Sequence, residues 1–257
     1  MVRALSRRFE RIVVFSGAGM SADSGIPTFR GGSNGLWQAF NPEELATPSA
    51  WRRNRDLVWG WYEWRRGLVA AAEPNPGHLA VASMQRQFGA TIITQNVDDL
   101  HERGGARDVL HLHGSLFAAR CDTCSRAYSL GEAPQEAQRE REPPRCDRCG
   151  GHIRPGVVWF GEGLDDGTVT LASRAIAACD LLLIVGTSGV VYPAAGMVGL
   201  APRDAVIIEV NPQPSMSSPA TDRIHKWPTT AALGLPQILQ QLCRDSTSGG
   251  DERSDLK

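Results

Sequence analysis

A chain of 257 residues, 42% of them hydrophobic, is long enough for one large domain, or for one domain that carries a small insertion. Lys and Arg number 27 and Asp and Glu 28, a formal net charge of -1, which argues against a protein that works by bulk attraction to nucleic acid. No apolar run reaches transmembrane length, and the opening MVRALSRRFE lacks the apolar stretch of a signal peptide, so a cytoplasmic protein off the membrane is expected.

Residues 12–15, IVVF, read as a buried strand. Gly17, Gly19 and Ala22 then follow the G-x-G-x-x-G/A spacing of a dinucleotide turn, with Ala18 inside it. On that reading Gly17 permits a tight turn at positive φ and Gly19 lets the backbone approach a pyrophosphate. Ala22 lets a helix pack on the strand with its first N–H groups facing the anion. A plain strand-to-helix turn is the alternative. Gly25 and Pro27 stop any helix almost at once, and the acidic strand end that an ordinary Rossmann unit has about 20 positions on is missing. A hydride-transfer enzyme is therefore not the natural reading.

Residues 31–35 form a Gly-rich loop, a lid or an ordinary surface loop. In residues 42–72, Leu57, Trp61, Trp64 and Leu68 recur at helical spacing and predict an amphipathic helix within a helical insertion, ended by Pro74 and Pro76. A helix is expected over 78–88 and a strand over 91–94, leading into Gln95-Asn96-Val97-Asp98. Another strand, VLHLH, runs over 109–113. The core pattern resumes at 155–160, followed by a helix over 165–179, the strand LLLIV before Gly186-Thr187-Ser188, and a short helix over 194–200. The strand AVIIEV ends at Asn211, and a last helix covers 236–244. The charged tail reads as disordered. Short apolar strands separated by helices predict an α/β fold: a Rossmann-like parallel sheet covered on both faces, with ligand bound beyond the strands' carboxyl ends. Small or polar residues gather at those ends.

Residues 119–152 are poor in apolar side chains and hold two C-x-x-C pairs, Cys121/Cys124 and Cys146/Cys149. The gap of about 20 residues is close to zinc-ribbon spacing, and four cysteines leave no open position, so one structural Zn2+ is expected, with a redox disulfide pair as the poorer alternative. Cys179 and Cys243 read as core fillers.

The motifs GAGMSADSGIPTFR, TQNVDDLH, HLHGSL, the two C-x-x-C pairs, GTS and VNP stand in the order found in the sirtuins, and the chain resembles that family over nearly its whole length to Leu242. The resemblance implies NAD-dependent deacylation of protein lysines. It assigns residues 1–32, 86–118 and 153–245 to the nucleotide-binding domain, 33–85 to a helical insertion, and 119–152 to a zinc-binding insertion, leaving 246–257 as tail. It makes His113 the catalytic base. In the mechanism it implies, the acyl oxygen attacks the anomeric carbon of the nicotinamide ribose, nicotinamide leaves, and an alkylimidate forms. His113 then deprotonates a ribose hydroxyl, and water completes the release of free lysine and O-acyl-ADP-ribose. Where the family usually has an acidic residue two before this histidine, the chain has His111.

The resemblance places Gly17, Ala18, Gly19, Ala22, Pro27, Phe29, Arg30, Gln95, Asn96, Asp98, Gly186, Thr187, Ser188, Asn211 and Ala231 around NAD. Phe29 would shield the reacting carbon, and Asp98 would double as a helix cap. Tyr62 and Arg65, three apart on one helix face, match the pair found in sirtuins that remove acidic acyl groups. There the guanidinium and the phenol hold a carboxylate, and Ala46 widens the pocket. A snorkelling arginine beside aromatics is the plain alternative. Succinyl, malonyl and also acetyl groups are the expected substrates. Val157, Phe160 and Gly161 fall in the segment that binds the acyl-lysine protein by backbone strand addition. A mono-ADP-ribosyltransferase and a non-catalytic NAD-sensing adaptor are the other readings.

Overall fold

The computed structural model describes residues 5–28, 41–136, 140–187, 194–213 and 224–247. The strands are β1 (Ile12–Ser16), β2 (Thr91–Thr94), β3 (Leu110–His111), β4 (Gly114–Cys121), β5 (Ala127–Tyr128), β6 (Ile153–Val157), β7 (Leu181–Val185), β8 (Val206–Val210) and β9 (Ile224–Trp227). The α-helices are α1 (Pro42–Leu45), α2 (Pro48–Arg53), α3 (Arg55–Ala71), α4 (Pro76–Phe88), α5 (Leu100–Arg103), α6 (Asp166–Ala178) and α7 (Ala231–Thr247).

A six-stranded sheet has the order β3-β2-β1-β7-β8-β9, with every pairing parallel. All five residues of β1 and of β7 are buried, as a parallel sheet covered on both faces requires. Side chains alternate by face. Ile12 and Val14 join Val81 and Met84 of α4 and Leu235 and Ile238 of α7. Val13 and Phe15 join Ala172 and Ile176 of α6 and the 3-10 turn Ala194–Leu200. A smaller antiparallel sheet, β5-β4-β6, packs with α1–α3 around a third core of Trp51, Trp59, Trp61, Tyr62 and Trp159.

Several elements differ from the sequence reading. The stretch expected to resume the main core at 155–160 is β6, paired with β4 in the small sheet. Helix α4 lies wholly in the large half, since Ala80, Val81 and Met84 are buried in its core. A domain boundary at 85 therefore cuts through a helix. Helix α7 starts at Ala231 and carries Pro236 inside it, where one backbone hydrogen bond is forgone. On α3 Trp61 is buried and Leu57 and Trp64 pack against the same core, as the spacing predicted, but Leu68 is exposed, and Val58, Trp59, Tyr62, Arg65 and Val69 are buried as well. Cys179 is buried as expected, whereas Cys243 is only half-buried and donates to Gln87. Strands β4, β5 and β9 were not anticipated.

Candidate active site

The carboxyl ends of β1, β2, β7 and β8 meet at one rim. The turn after β1 is laced to the end of β7: Gly17 N–H donates to the Val185 carbonyl at 2.9 Å and Gly19 N–H to that of Gly186 at 2.8 Å. A Cβ on Gly19 would come within 2.7 Å of Gly186 Cα, and one on Gly17 within 3.0 Å of Gly186 O and of Thr187. Gly17 has φ -128°, so the expected positive φ is not the reason for it; close approach of two turns is. Gly186 itself has φ 57°. Ala22 is exposed in a 3-10 turn, Ala22–Ser24, and does not pack a helix on the strand as the spacing suggested. Gly25, at φ 84°, ends that turn.

The segment after β2 joins this rim. Gln95 Nε2 donates to Thr187 Oγ1 at 3.1 Å, and Asn211 Nδ2 donates to the Thr187 carbonyl at 3.1 Å. Asn96 Nδ2 donates to Ser21 Oγ at 3.2 Å, and Ser21 donates on to Asp98 Oδ2 at 3.0 Å. The other Asp98 oxygen accepts from the N–H of Leu100, the first residue of α5, although the cap position itself is Asp99, whose side chain makes no capping bond. Burial pushes the Asp98 carboxyl up, against the Ser21 and Leu100 hydrogen bonds. Two members of this lattice were missed from sequence. Ser21 lies inside the turn motif. Asn75 donates to Met20 O at 2.9 Å and to Ser24 Oγ at 3.1 Å while capping α4. Its signal was the Asn-x-x-His capping box with His78.

His113 and His111 reach consecutive carbonyls of the β2 segment. His113 Nδ1 lies 2.9 Å from Gln95 O, and His111 Nδ1 lies 3.1 Å from Asn96 O. A carbonyl only accepts, so both Nδ1 atoms carry hydrogen. His111 Nε2 lies 2.7 Å from Glu102 Oε1, also an acceptor, so both ring nitrogens face acceptors and the charged imidazolium is favoured. Burial alone would lower its pKa, but the hydrogen bond and charge of Glu102, with Asn96 O and Asp98, raise it. His113 has no carboxylate partner among the described residues, and burial lowers its pKa. It is therefore neutral near pH 7, with Nε2 as the acceptor.

The small half contributes a second cluster. Tyr62 and Arg65 are buried on α3, and the Arg65 guanidinium lies 4.9 Å from the Trp61 ring centroid and 5.8 Å from that of Tyr62. Burial lowers the Arg65 pKa, while Tyr62 and Asp98 favour its charge. Burial pushes the Tyr62 phenol up to about 12, so it stays protonated. Ala46 is buried in the same core as Tyr62 and Val157, and its carbonyl accepts from Phe160 N–H at 2.9 Å. Phe160 and Gly161 are exposed. Ala18 and Pro27 are half-buried near the turn, and Ala231 is buried at the start of α7. Phe29, Arg30 and Ser188 lie outside the described residues.

The Sγ atoms of Cys121, Cys124, Cys146 and Cys149 all lie within 4.8 Å of one another, with Cys121–Cys149 at 3.5 Å and Cys124–Cys146 at 3.7 Å. Four sulfurs about 3.8 Å apart are what tetrahedral Zn–S bonds of about 2.3 Å produce, so the donor set fits zinc. Among the described residues no helix is long and apolar enough to cross a membrane.

A parallel sheet with a glycine-lined rim, an open imidazole and a four-cysteine module define a nucleotide-using enzyme with a stapled second half. The profile described as the Sir2 family matches residues 17–193, and the chain belongs to that family. The chain is 56% identical over 237 residues to NAD-dependent protein deacylase 1 of Pseudomonas aeruginosa, covering 90% of this chain and 94% of that one. It is 51% identical over 236 residues to an NAD-dependent protein deacylase of Mycobacterium tuberculosis, covering 90% and 98%. Among solved structures, a Sir2 homologue in complex with ADP-ribose superposes with a TM-score of 0.86 at 38% identity, covering 96% of each chain. A Sir2 homologue bound to NAD gives 0.81 at 40% identity, covering 95% and 93%.

Proposed function

We propose that the protein is an NAD-dependent protein-lysine deacylase with a pocket for acidic acyl chains. The observation that carries the catalytic part is His113: its Nδ1–H is committed to Gln95 O, which leaves a neutral Nε2 to accept a proton. When bound, NAD supplies an anomeric carbon from which nicotinamide can depart. Gly17, Gly19 and Gly186 let the turns after β1 and β7 pack without Cβ atoms between them, Ala18, Ala22 and Pro27 would flank the dinucleotide, and Phe29, which would shield the reacting carbon, and Arg30 complete the assigned set. Gln95, Asn96 and Asp98 orient the nicotinamide and its ribose, with Asn96 and Asp98 held in place through Ser21. Thr187, Asn211 and Ala231 would face the adenosine half, to which the GTS motif also assigns Ser188. His113 takes the proton of a ribose hydroxyl at Nε2.

In this reading the nucleotide-binding half comprises 1–32, 86–118 and 153–245 with α4 added and with β4 and β6 given to the small half, and the four cysteines hold one structural zinc. Arg65 and the Tyr62 hydroxyl receive the far carboxylate of a succinyl or malonyl group, beside Ala46. A substrate backbone pairs alongside Val157–Gly161. The N–H groups of Val158, Trp159 and Phe160 are already used within the chain, so new pairing falls on the exposed Gly161.

A panel of succinyl-, malonyl- and acetyl-lysine peptides with NAD tests the reading. Nicotinamide release with O-acyl-ADP-ribose in the mass spectrum is expected. ADP-ribose attached to protein, with no free O-acyl product, would replace this reading with a transferase. Arg65→Met should fall hardest on the succinyl peptide.

A further inference from the structure

The acyl pocket holds one hydrogen bond whose direction is fixed by chemistry. Trp159 Nε1 lies 3.1 Å from the Tyr62 hydroxyl oxygen, and both side chains are buried. An indole N–H only donates, so the phenol oxygen accepts. The Tyr62 proton must then point elsewhere, and the pocket is rich in donors. Arg65, 5.8 Å from the ring, cannot accept it.

The indole cannot turn away. The Trp159 backbone N–H donates to Glu162 Oε2 at 2.9 Å. Glu162 also holds Arg154 by two bonds, 2.6 and 2.9 Å. The Arg154 guanidinium lies 3.5 Å from the Trp159 ring centroid, and the Trp51 ring packs at 5.7 Å. A partly buried ion pair thus braces an aromatic ring, which in turn orients a phenol.

We propose that Trp159 is a specificity-determining residue: by donating to the Tyr62 hydroxyl oxygen, it turns that hydroxyl's proton away from itself and orients it to be donated to an acyl carboxylate beside Arg65. This rests on the acidic-acyl reading above. An uncharged acyl chain offers no such acceptor and gains nothing from the arrangement. The indole is thus a positioning group acting through Tyr62, not a contact to the reacting atoms.

The test compares kcat/KM, with NAD, for a peptide bearing succinyl-lysine and for one bearing an uncharged acyl chain of equal length. Arg65→Met, Tyr62→Phe, Trp159→Phe and the double variant are measured. Replacing Trp159 by benzothienylalanine, which keeps the ring shape and removes the N–H, guards against a folding defect. The succinyl-to-uncharged ratio should fall about tenfold in Trp159→Phe and in the benzothienyl variant, mainly through KM. It should fall no further when Trp159→Phe is added to Tyr62→Phe. Loss of equal size on both peptides, or full additivity with Tyr62→Phe, would reduce Trp159 to a packing residue and overturn the proposal. If Arg65→Met also leaves the ratio unchanged, the acidic-acyl reading falls and this proposal with it. If Arg65→Met is selective and the two Trp159 replacements are not, the reading stands and only the role of the indole is lost.

Discussion

The sheet rim and the small core are built on opposite plans. At the rim, single polar side chains from four strand ends satisfy one another across long sequence separations: Ser21 with Asp98, Gln95 with Thr187, Asn211 with Thr187. In the small core, aromatic rings, buried cations and sulfur do the work, and most of the polar groups belong to ion pairs. Glu63 takes two bonds from Arg66, 2.9 Å each, and one from Arg141, while Arg66 also donates to Gly131 and Glu132 carbonyls. Those contacts tie the helical insertion to the cysteine module. A rim preorganised by hydrogen bonds performs one reaction on whatever is presented. A core of rings and cations decides what is presented.

The largest expected effect separates the two halves physically. Chelating the metal, or Cys146→Ser, should remove hydrogen-exchange protection over residues 41–71 and 114–157 while β1 and β7 stay protected. Structural zinc in isolated finger peptides contributes about 10–16 kcal/mol to folding, so the small half is expected to lose its order. Protection lost evenly over both sheets would mean that the halves fold as one unit.

Next is His113→Ala. Removing a general base costs about 10²–10⁴-fold in rate. Nicotinamide-release assays should show the same factor for every acyl group, because the imidazole belongs to the rim. A loss confined to succinyl-lysine would place His113 in recognition instead. By contrast, Arg65→Met should lower the succinyl-to-acetyl ratio of kcat/KM by about tenfold or more, the value of a charge-assisted hydrogen bond. An unchanged ratio would erase the distinction between the halves.

What the sequence disclosed follows the same division. The rim was legible because its parts are strand ends, where a run such as LLLIV stops at Gly186-Thr187, and each stop is a local signal. The cysteine module was legible from spacing. The core between them was not. The periodicity of α3 pointed to Leu57, Trp61, Trp64 and Leu68, and Trp61 is buried, but the buried surface also takes in Tyr62 and Arg65, which the periodicity did not mark. No apolarity scale buries an arginine; the rings around it and the nearby Asp98 favour its place. Strand β6 reads like the buried strands of the main sheet, but its Gly156 is packed against Ala118 of β4, a contact that pairing alone determines. Strand β9 has only four residues, two of them exposed, so its apolar signal is weak.

The smallest expected effect lies within the rim itself. His111 and His113 sit two residues apart and bond adjacent carbonyls, yet their pKa values move in opposite directions, because among the described residues only His111 of the two meets a carboxylate. Activity through His113 requires the neutral ring, and its lowered pKa keeps it neutral below the ordinary value of about 6.5. The acid limb of kcat/KM should therefore fall below that pH. His111 works the other way. Its raised folded pKa means that the stability it contributes is fully present below about 6.5 and is lost as pH rises through the raised value. Burial alone would raise its partner Glu102, but the hydrogen bond and charge of His111 outweigh it and hold that carboxyl down, so the contribution also fades as pH falls through the lowered value. The pair is partly solvated, with the Glu102 side chain 40% exposed, which limits it to about 1 kcal/mol or less. His111→Asn should thus lower Tm by about 2 °C near pH 6 and by less near pH 9, with kcat near pH 7 changed much less than in His113→Ala. A Tm difference that is constant from pH 6 to 9 would show that His111 acts by shape rather than by charge, and that a neutral side chain could stand where the family usually has an acid.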